Sequence, residues 1–325
     1  EPILDKEKKR FTVFPIKYKD FWNMFKKQQS SFWIAEEIDF SNDLEDFNSL
    51  SKDEQHFLKR ILAFFASSDG IVNFNLEKRF IDEIQIMEAK IVYDFQKMME
   101  NIHGEVYSLM LDNLVQDIEE KNKLFNSINT IPSIKNMADW AFKWIDSDKH
   151  FSYRVVAFTI VEGVFFSGAF AAIFWFKKYK NKGKNFLQGL CKSNEFIARD
   201  EGMHTDFGCL IYKHLNNKLS QNQINEIIID GVNVSKTFID DALPYNLIGM
   251  NKVMMSDYIE YVADRLLVDL GYNKIYNKKN PFKFMETIGL TTKTNFFEQR
   301  STEYSDPNIF NKNSDKTIVF DNIDF

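Results

Sequence analysis

The chain of 325 residues is 44% hydrophobic and holds 33 Phe, enough to fill one large core or two small ones. Its net charge of −6, with Lys and Glu interspersed, excludes the basic face that a nucleic-acid binder carries. Two cysteines without a CxxC pair, Cys191 and Cys209, exclude a disulfide framework and point to a reducing, cytoplasmic setting.

Gly (12) and Pro (6) are scarce, and both break helices, so the long apolar periodicities predict an all-α protein of few, long helices. The sequence begins at Glu1 with neither Met nor an apolar leader, which reads as an N-terminally trimmed chain. Residues 1–30 read as an N-terminal extension, and short helical stretches with Trp22 and Trp33 among charges fill the first fifty positions. Ser51 and Glu54 form a capping box that opens a helix to about Phe80. A second periodic stretch, Ile84 to Leu114, contains no proline. Thr130-Ile131-Pro132 then breaks the chain before a shorter helix through ADWAFKWI.

Val155 to Phe176 is long enough to span a bilayer. Glu162 lies inside it, however, and a carboxylate at bilayer depth is costly, so the segment reads as a helix buried in protein, with no membrane involved. After the polar break NKGKN at 181–185, helices are expected over about 186–215, from the Ser220–Gln223 capping box to near Pro244, and over about 252–270. From residue 305 the chain is polar and aperiodic and reads as a disordered tail, regaining apolar character only in VFDNIDF at its end.

The chemistry lies in a repeated pattern. Glu-x-x-His occurs at Glu100–His103 and at Glu201–His204, and that spacing puts both side chains on one helix face. Five histidines would give roughly a third of one such match by chance, so either pair alone is weak. Each pair, though, follows a helix with a lone acid in an apolar setting, Asp69 in LAFFASSDGIV and Glu162 in FTIVEGVFF. Four helices projecting four carboxylates and two histidines inward describe a ferritin-like helical bundle with a di-metal site in its four-helix core. Four buried carboxylates are prohibitive alone, and two divalent cations cancel their charge. Oxygen and imidazole donors together suit iron or manganese.

Tyr107, four residues after His103, falls one turn along the same face, against the metal site. Phe166 and Phe170, at i+4 and i+8 from Glu162, and Ile197, at i−4 from Glu201, project from adjoining ligand helices. They are candidates for a dry pocket around the tyrosine; by spacing alone they are ordinary core residues.

At these residues the chain resembles the eukaryotic-type small subunit of class I ribonucleotide reductase. The resemblance runs from about Ser31 to Tyr304 through SSFWIAEEIDFSND, FFASSDGIVN, MENIHGEVYSLM, RVVAFTIVEGVFFSGAFAAIFW, ARDEGMH, LIGMN, YVADRLL and KTNFFEQRSTEY. It implies a di-iron domain over 31–304 and a docking tail over 305–325. It also implies an oxo-bridged pair of iron ions formed with O2, one held by Asp69, Glu100 and His103 and the other by Glu162, Glu201 and His204, with manganese as the alternative metal. Tyr107 matches the radical tyrosine of that family, Trp33 and Asp200 its transfer relay, and Tyr304 the tyrosine that hands the radical to the large subunit. The implied partners are that large catalytic subunit, met by Val319–Phe325, and a second copy in a homodimer. Without the resemblance, Trp33 is an anchoring aromatic and Asp200 a helix-surface acid. Another ferritin-like oxidase would share the ligand frame but would not need Tyr107, Trp33 and the terminal peptide. An iron-storage or non-catalytic partner subunit would be expected to lose ligands or the tyrosine, and here all six ligands and Tyr107 are present.

Overall fold

The computed structural model describes residues 1–180 and 186–285. Among them there is no β-strand, only one isolated bridge between Leu247 and Met250. Helix α1 is Lys19–Gln29, α2 is Asp43–Asn48 and α3 is Lys52–Asn75. After α3 the chain passes through a π-helical turn, Leu76–Phe80, and the short helix Ile81–Glu83. Next come α4, Met87–Leu114, and, beyond short helices over 118–130, α5, Pro132–Ile145, with its proline in the first turn where no N–H is missed. Helix α6 runs over Phe151–Lys180, α7 over Gln188–Lys213, α8 over Gln221–Ala242 and α9 over Lys252–Asp269.

The capping boxes expected at Ser51 and Ser220 both form. Ser51 Oγ accepts from Glu54 N at 3.3 Å while Glu54 returns the bond to Ser51 N at 3.0 Å. Ser220 and Gln223 do the same at the start of α8.

Helices α3 and α4 pack side by side, as do α6 and α7, and the two pairs meet through α3–α6 and α4–α7 contacts. Helices α5, α8 and α9 cover α6, and α1 lies across α4 and α7. Close approach of α6 to α7 depends on Gly208, where a Cβ would stand 2.5 Å from Thr159 Oγ1.

Helix α6 is apolar enough to cross a membrane, yet 89% of its most apolar window is buried inside the protein. Each fully buried Phe there stabilises the fold by about 1.5–3 kcal/mol. Arg154, which could flank a bilayer span, is 8% exposed and makes paired bonds to Glu83 at 2.7 and 2.5 Å. Helix α6 is the central strut of the bundle.

The first thirty residues hold to the bundle at defined points. Ile3 and Phe21 are fully buried, Gln85 N donates to Ile3 O at 2.8 Å, and the buried Glu88 accepts from Lys17 N at 2.7 Å and from Arg10.

Candidate metal centre

The four inner helices each bring one part of the site. Helix α3 supplies Asp69, α4 supplies Glu100 and His103, α6 supplies Glu162, and α7 supplies Glu201 and His204. All six are at most 3% exposed. Donor atoms of Asp69, Glu100 and His103 lie within 4.8 Å of one another, and so do those of Glu100, Glu162, Glu201 and His204. The resemblance implies Asp69, Glu100 and His103 at one metal position and Glu162, Glu201 and His204 at the other. In the structure Glu100 falls in both groups, with its Oε1 2.9 Å from His204 Nδ1. Glu201 likewise places Oε1 3.1 Å from His103 Nδ1. Helices α4 and α7 are neighbours, so each Glu reaches across to the other helix's histidine.

Glu162 sits in a π-helical turn, Val161–Phe165, set inside α6. A π turn adds one residue to a helical turn and re-aims the side chains around it, a distortion frequent at functional sites. Glu162 Oε1 accepts from Gln96 Nε2 at 2.9 Å. Gln96 is fully buried on α4, one turn before Glu100, a position the helical spacing contains but sequence reading does not single out.

Asp69 Oδ2, both oxygens of Glu100, Glu162 Oε2, Glu201 Oε1 and His103 Nδ1 make no aligned hydrogen bond among the described residues. Buried polar atoms are normally paired. Here they converge on shared positions instead, which is how ligands aimed at cations are arranged, so the donor set fits two divalent ions.

The charges point the same way. Burial, then the charge of Glu100, raises the Asp69 carboxyl well above its usual range, and burial with Glu100 and Glu162 does so for Glu201. Burial opposes ionisation of Glu100 as well, but His204 and His103 prevail and hold it down to about 2. Against the same burial, Glu100 and Glu162 push His204 up to about 10, and Asp200, Glu100 and Glu201 raise His103. Without cations Asp69, Glu201 and the two imidazoles are driven toward their protonated forms, and divalent cations would displace those protons.

Outward from His103 the contacts continue. Its Nε2 lies 3.2 Å from Asp200 Oδ2, and Trp33 Nε1 donates to that same oxygen at 2.7 Å. The Trp33 and His103 rings stack with centroids 6.0 Å apart and planes 21° apart. Arg199 grips the other oxygen of Asp200 through Nε and Nη2 at 3.0 and 2.8 Å, and reaches Ser31 O at 2.7 Å. Burial would raise Asp200, but His103 and Arg199 keep it below its usual range, so it is a buried carboxylate. Trp33 is 1% exposed, and sequence reading misses Arg199 because its neighbour Asp200 looks like a surface acid.

Tyr107 is fully buried, and its hydroxyl has no partner among the described residues. Burial, then the charge of Asp69, raises its phenol well above the ordinary value. The ring that covers it is Phe65, stacked at 4.4 Å and 2°. Phe170 and Phe166 pack on Phe65 at 5.0 and 5.7 Å, and Ile197 is buried on α7 one turn before Glu201. Phe65 lies at i−4 from Asp69, so the spacing that picks out Ile197 would also find it. Tyr304 and Val319–Phe325 lie outside the described residues.

The family model described as ribonucleotide reductase, small chain, matches residues 10–281. A ribonucleoside-diphosphate reductase small chain of Vaccinia virus (strain Ankara) is 54% identical over 304 residues, covering 94% of each chain. The ribonucleoside-diphosphate reductase subunit M2 of Rattus norvegicus is 50% identical over 322 residues, 99% of this chain and 81% of that one. Among solved structures, the ribonucleotide reductase Rnr4 homodimer from Saccharomyces cerevisiae superposes with a TM-score of 0.80 at 38% identity, covering 94% of this chain and 93% of that one.

Proposed function

The chain belongs to the ribonucleotide reductase small-chain family, and on that premise we propose that this oxidoreductase subunit forms a radical at Tyr107 and relays it to a large catalytic subunit that reduces ribonucleotides to deoxyribonucleotides. The observation that carries this reading is the join between the orphaned ligand cluster and the Trp33–Asp200–His103 contacts, beside a tyrosine closed off from solvent.

Iron, with manganese as the alternative, would be held by Asp69, Glu100 and His103 on one side and by Glu100, Glu162, Glu201 and His204 on the other. Bound there and given O2, the metal pair supplies a one-electron oxidant. Tyr107 would lose one electron to that oxidant and its phenolic proton to the ligand carboxylates whose charge it feels, Asp69 first, leaving a neutral radical. Phe65, Phe166, Phe170 and Ile197 exclude water and reductants from that ring. Gln96 fixes the Glu162 carboxylate, and Asp200 holds the His103 imidazole in orientation through Nε2. Trp33 carries electrons between the site and the surface, with its indole proton held on Asp200.

On the same reading Tyr304 passes the radical to the large subunit, Val319–Phe325 docks there, residues 31–304 form the working domain, and the protein is a cytoplasmic homodimer.

Adding Fe(II) and O2 to metal-free protein is expected to give a tyrosyl signal by electron paramagnetic resonance. A signal that persists in Tyr107→Phe, or none in the wild type, overturns the radical assignment. Removing residues 319–325 should abolish reductase activity with the large subunit and leave the signal intact.

A further inference from the structure

All six ligand candidates are buried, yet one side of the centre is not sealed among the described residues. A cavity of about 260 Å3 lies between α6, α7 and α9, with Glu162 and Glu201 at its floor. Ser167 and Thr205 line its wall, and the exposed Asp206 and Asp269 stand at its mouth. Glu162 and Glu201 border it with side chains each 2% exposed, and their orphaned Oε2 and Oε1 are closed to solvent behind it. Neither Asp69, His103 nor Tyr107 lines it.

A hydrated divalent cation must shed its waters as it enters a buried site, and each needs replacing by another oxygen. At about 30 Å3 per water, the cavity has room for an ion and several waters. The hydroxyl oxygens of Ser167 and Thr205 each donate to a backbone carbonyl, which leaves their lone pairs free to accept or coordinate. Arg265 shares the mouth with Asp269, and Lys27 meets Asp206 at 3.4 Å in a pair more than half exposed on both sides, too weak to hold that carboxylate. The pull inward therefore comes from the two floor carboxylates more than from the rim.

We propose that this cavity is the route by which divalent cations load the centre. Glu162 and Glu201 take each ion first, and Glu201 and Glu100, which touch both halves, pass it inward to Asp69 and His103. The inference rests on reading the cluster as a metal centre.

Two glycines make a matched test. Gly202 is exposed on α7 in the cavity wall, and a Cβ there meets nothing within 4 Å. Gly70, beside Asp69 on α3, is equally exposed and open but lies away from the cavity. Leucine at either position favours the helix, so folding is not at risk. Co(II) absorbance is followed after stopped-flow mixing with the metal-free full chain. Gly202→Leu should slow uptake at least about tenfold, equivalent to about 1.4 kcal/mol of barrier, at unchanged final stoichiometry. Gly70→Leu should load at the wild-type rate, and Asp206→Asn combined with Asp269→Asn should load more slowly, with a weaker salt dependence. Wild-type rates in both Gly202→Leu and the double variant, or slowing by Gly70→Leu alone, overturn the route. Failure of the wild type to bind Co(II) overturns the metal centre itself, and the route with it.

Discussion

Trp33 and His103 meet on a single oxygen, Asp200 Oδ2, which accepts the indole N–H at 2.7 Å and lies 3.2 Å from the imidazole Nε2. Trp33→Phe keeps an aromatic ring in this buried space and removes only that donor and the larger ring's redox chemistry. Loss of a hydrogen bond to a charged group costs about 1.5–3 kcal/mol, so the variant should fold with a lower denaturation midpoint. Its metal content should be unchanged and its reductase activity with the large subunit should fall to background. Retained activity would take Trp33 out of the relay.

Tyr107 offers a test of opposite sign. Its hydroxyl is buried with no partner among the described residues, so Tyr107→Phe removes an uncompensated polar group and leaves the stack on Phe65 intact. Urea unfolding of the metal-free variant should show stability equal to the wild type or higher by about 1 kcal/mol. A loss of that size would mean that the hydroxyl has a partner, with Asp69 the nearest candidate by charge.

The parts of this site that are legible in the sequence are those written in local spacing. Glu100–His103 and Glu201–His204 announce themselves by their three-residue separation, and Asp69 and Glu162 by being charged inside apolar helices. Ser51 and Ser220 mark helix starts because a capping box is completed within four residues. The π turn at Val161–Phe165 is a change of backbone register with no compositional mark, so α6 reads as one uniform helix. Phe65 is one of 33 phenylalanines; its i−4 spacing from Asp69 puts it near the site, but only the tertiary fold stacks it on Tyr107. Glu100 as a ligand common to both positions depends on α4 and α7 being neighbours, which local spacing cannot express.

Gly104 sits in the interior of α4, where glycine is about 1 kcal/mol less favourable than alanine. A Cβ there would stand 3.9 Å from Asp69 Cβ, an ordinary van der Waals contact. Gly104→Ala should therefore raise stability by about 1 kcal/mol in thermal or urea unfolding, with metal stoichiometry unchanged. Destabilisation, or loss of a metal, would show that α3 and α4 need closer approach beside Asp69 than these positions imply.

The start of α7 is capped from a distance. Asp43, 1% exposed on α2, accepts from Gly189 N at 3.0 Å and from Leu190 N at 2.7 Å. Helix N-termini favour a carboxylate. Burial works against it and wins, with the charges of Asp46 and Asp39 adding to it, so the carboxyl is pushed from 3.8 up to about 6. A group whose pKa is raised by folding contributes its stability fully below its unfolded value and loses it as pH rises through the folded one. Asp43 should thus support the fold at pH below about 4 and lose that support between about 4 and 6. Asp43→Asn carries no titrating group, so its stability relative to the wild type should improve across that window in urea unfolding of the two metal-free proteins. If the variant instead falls further behind as pH rises, the α7 N-terminus outweighs burial and Asp43 is a cap that works best ionised.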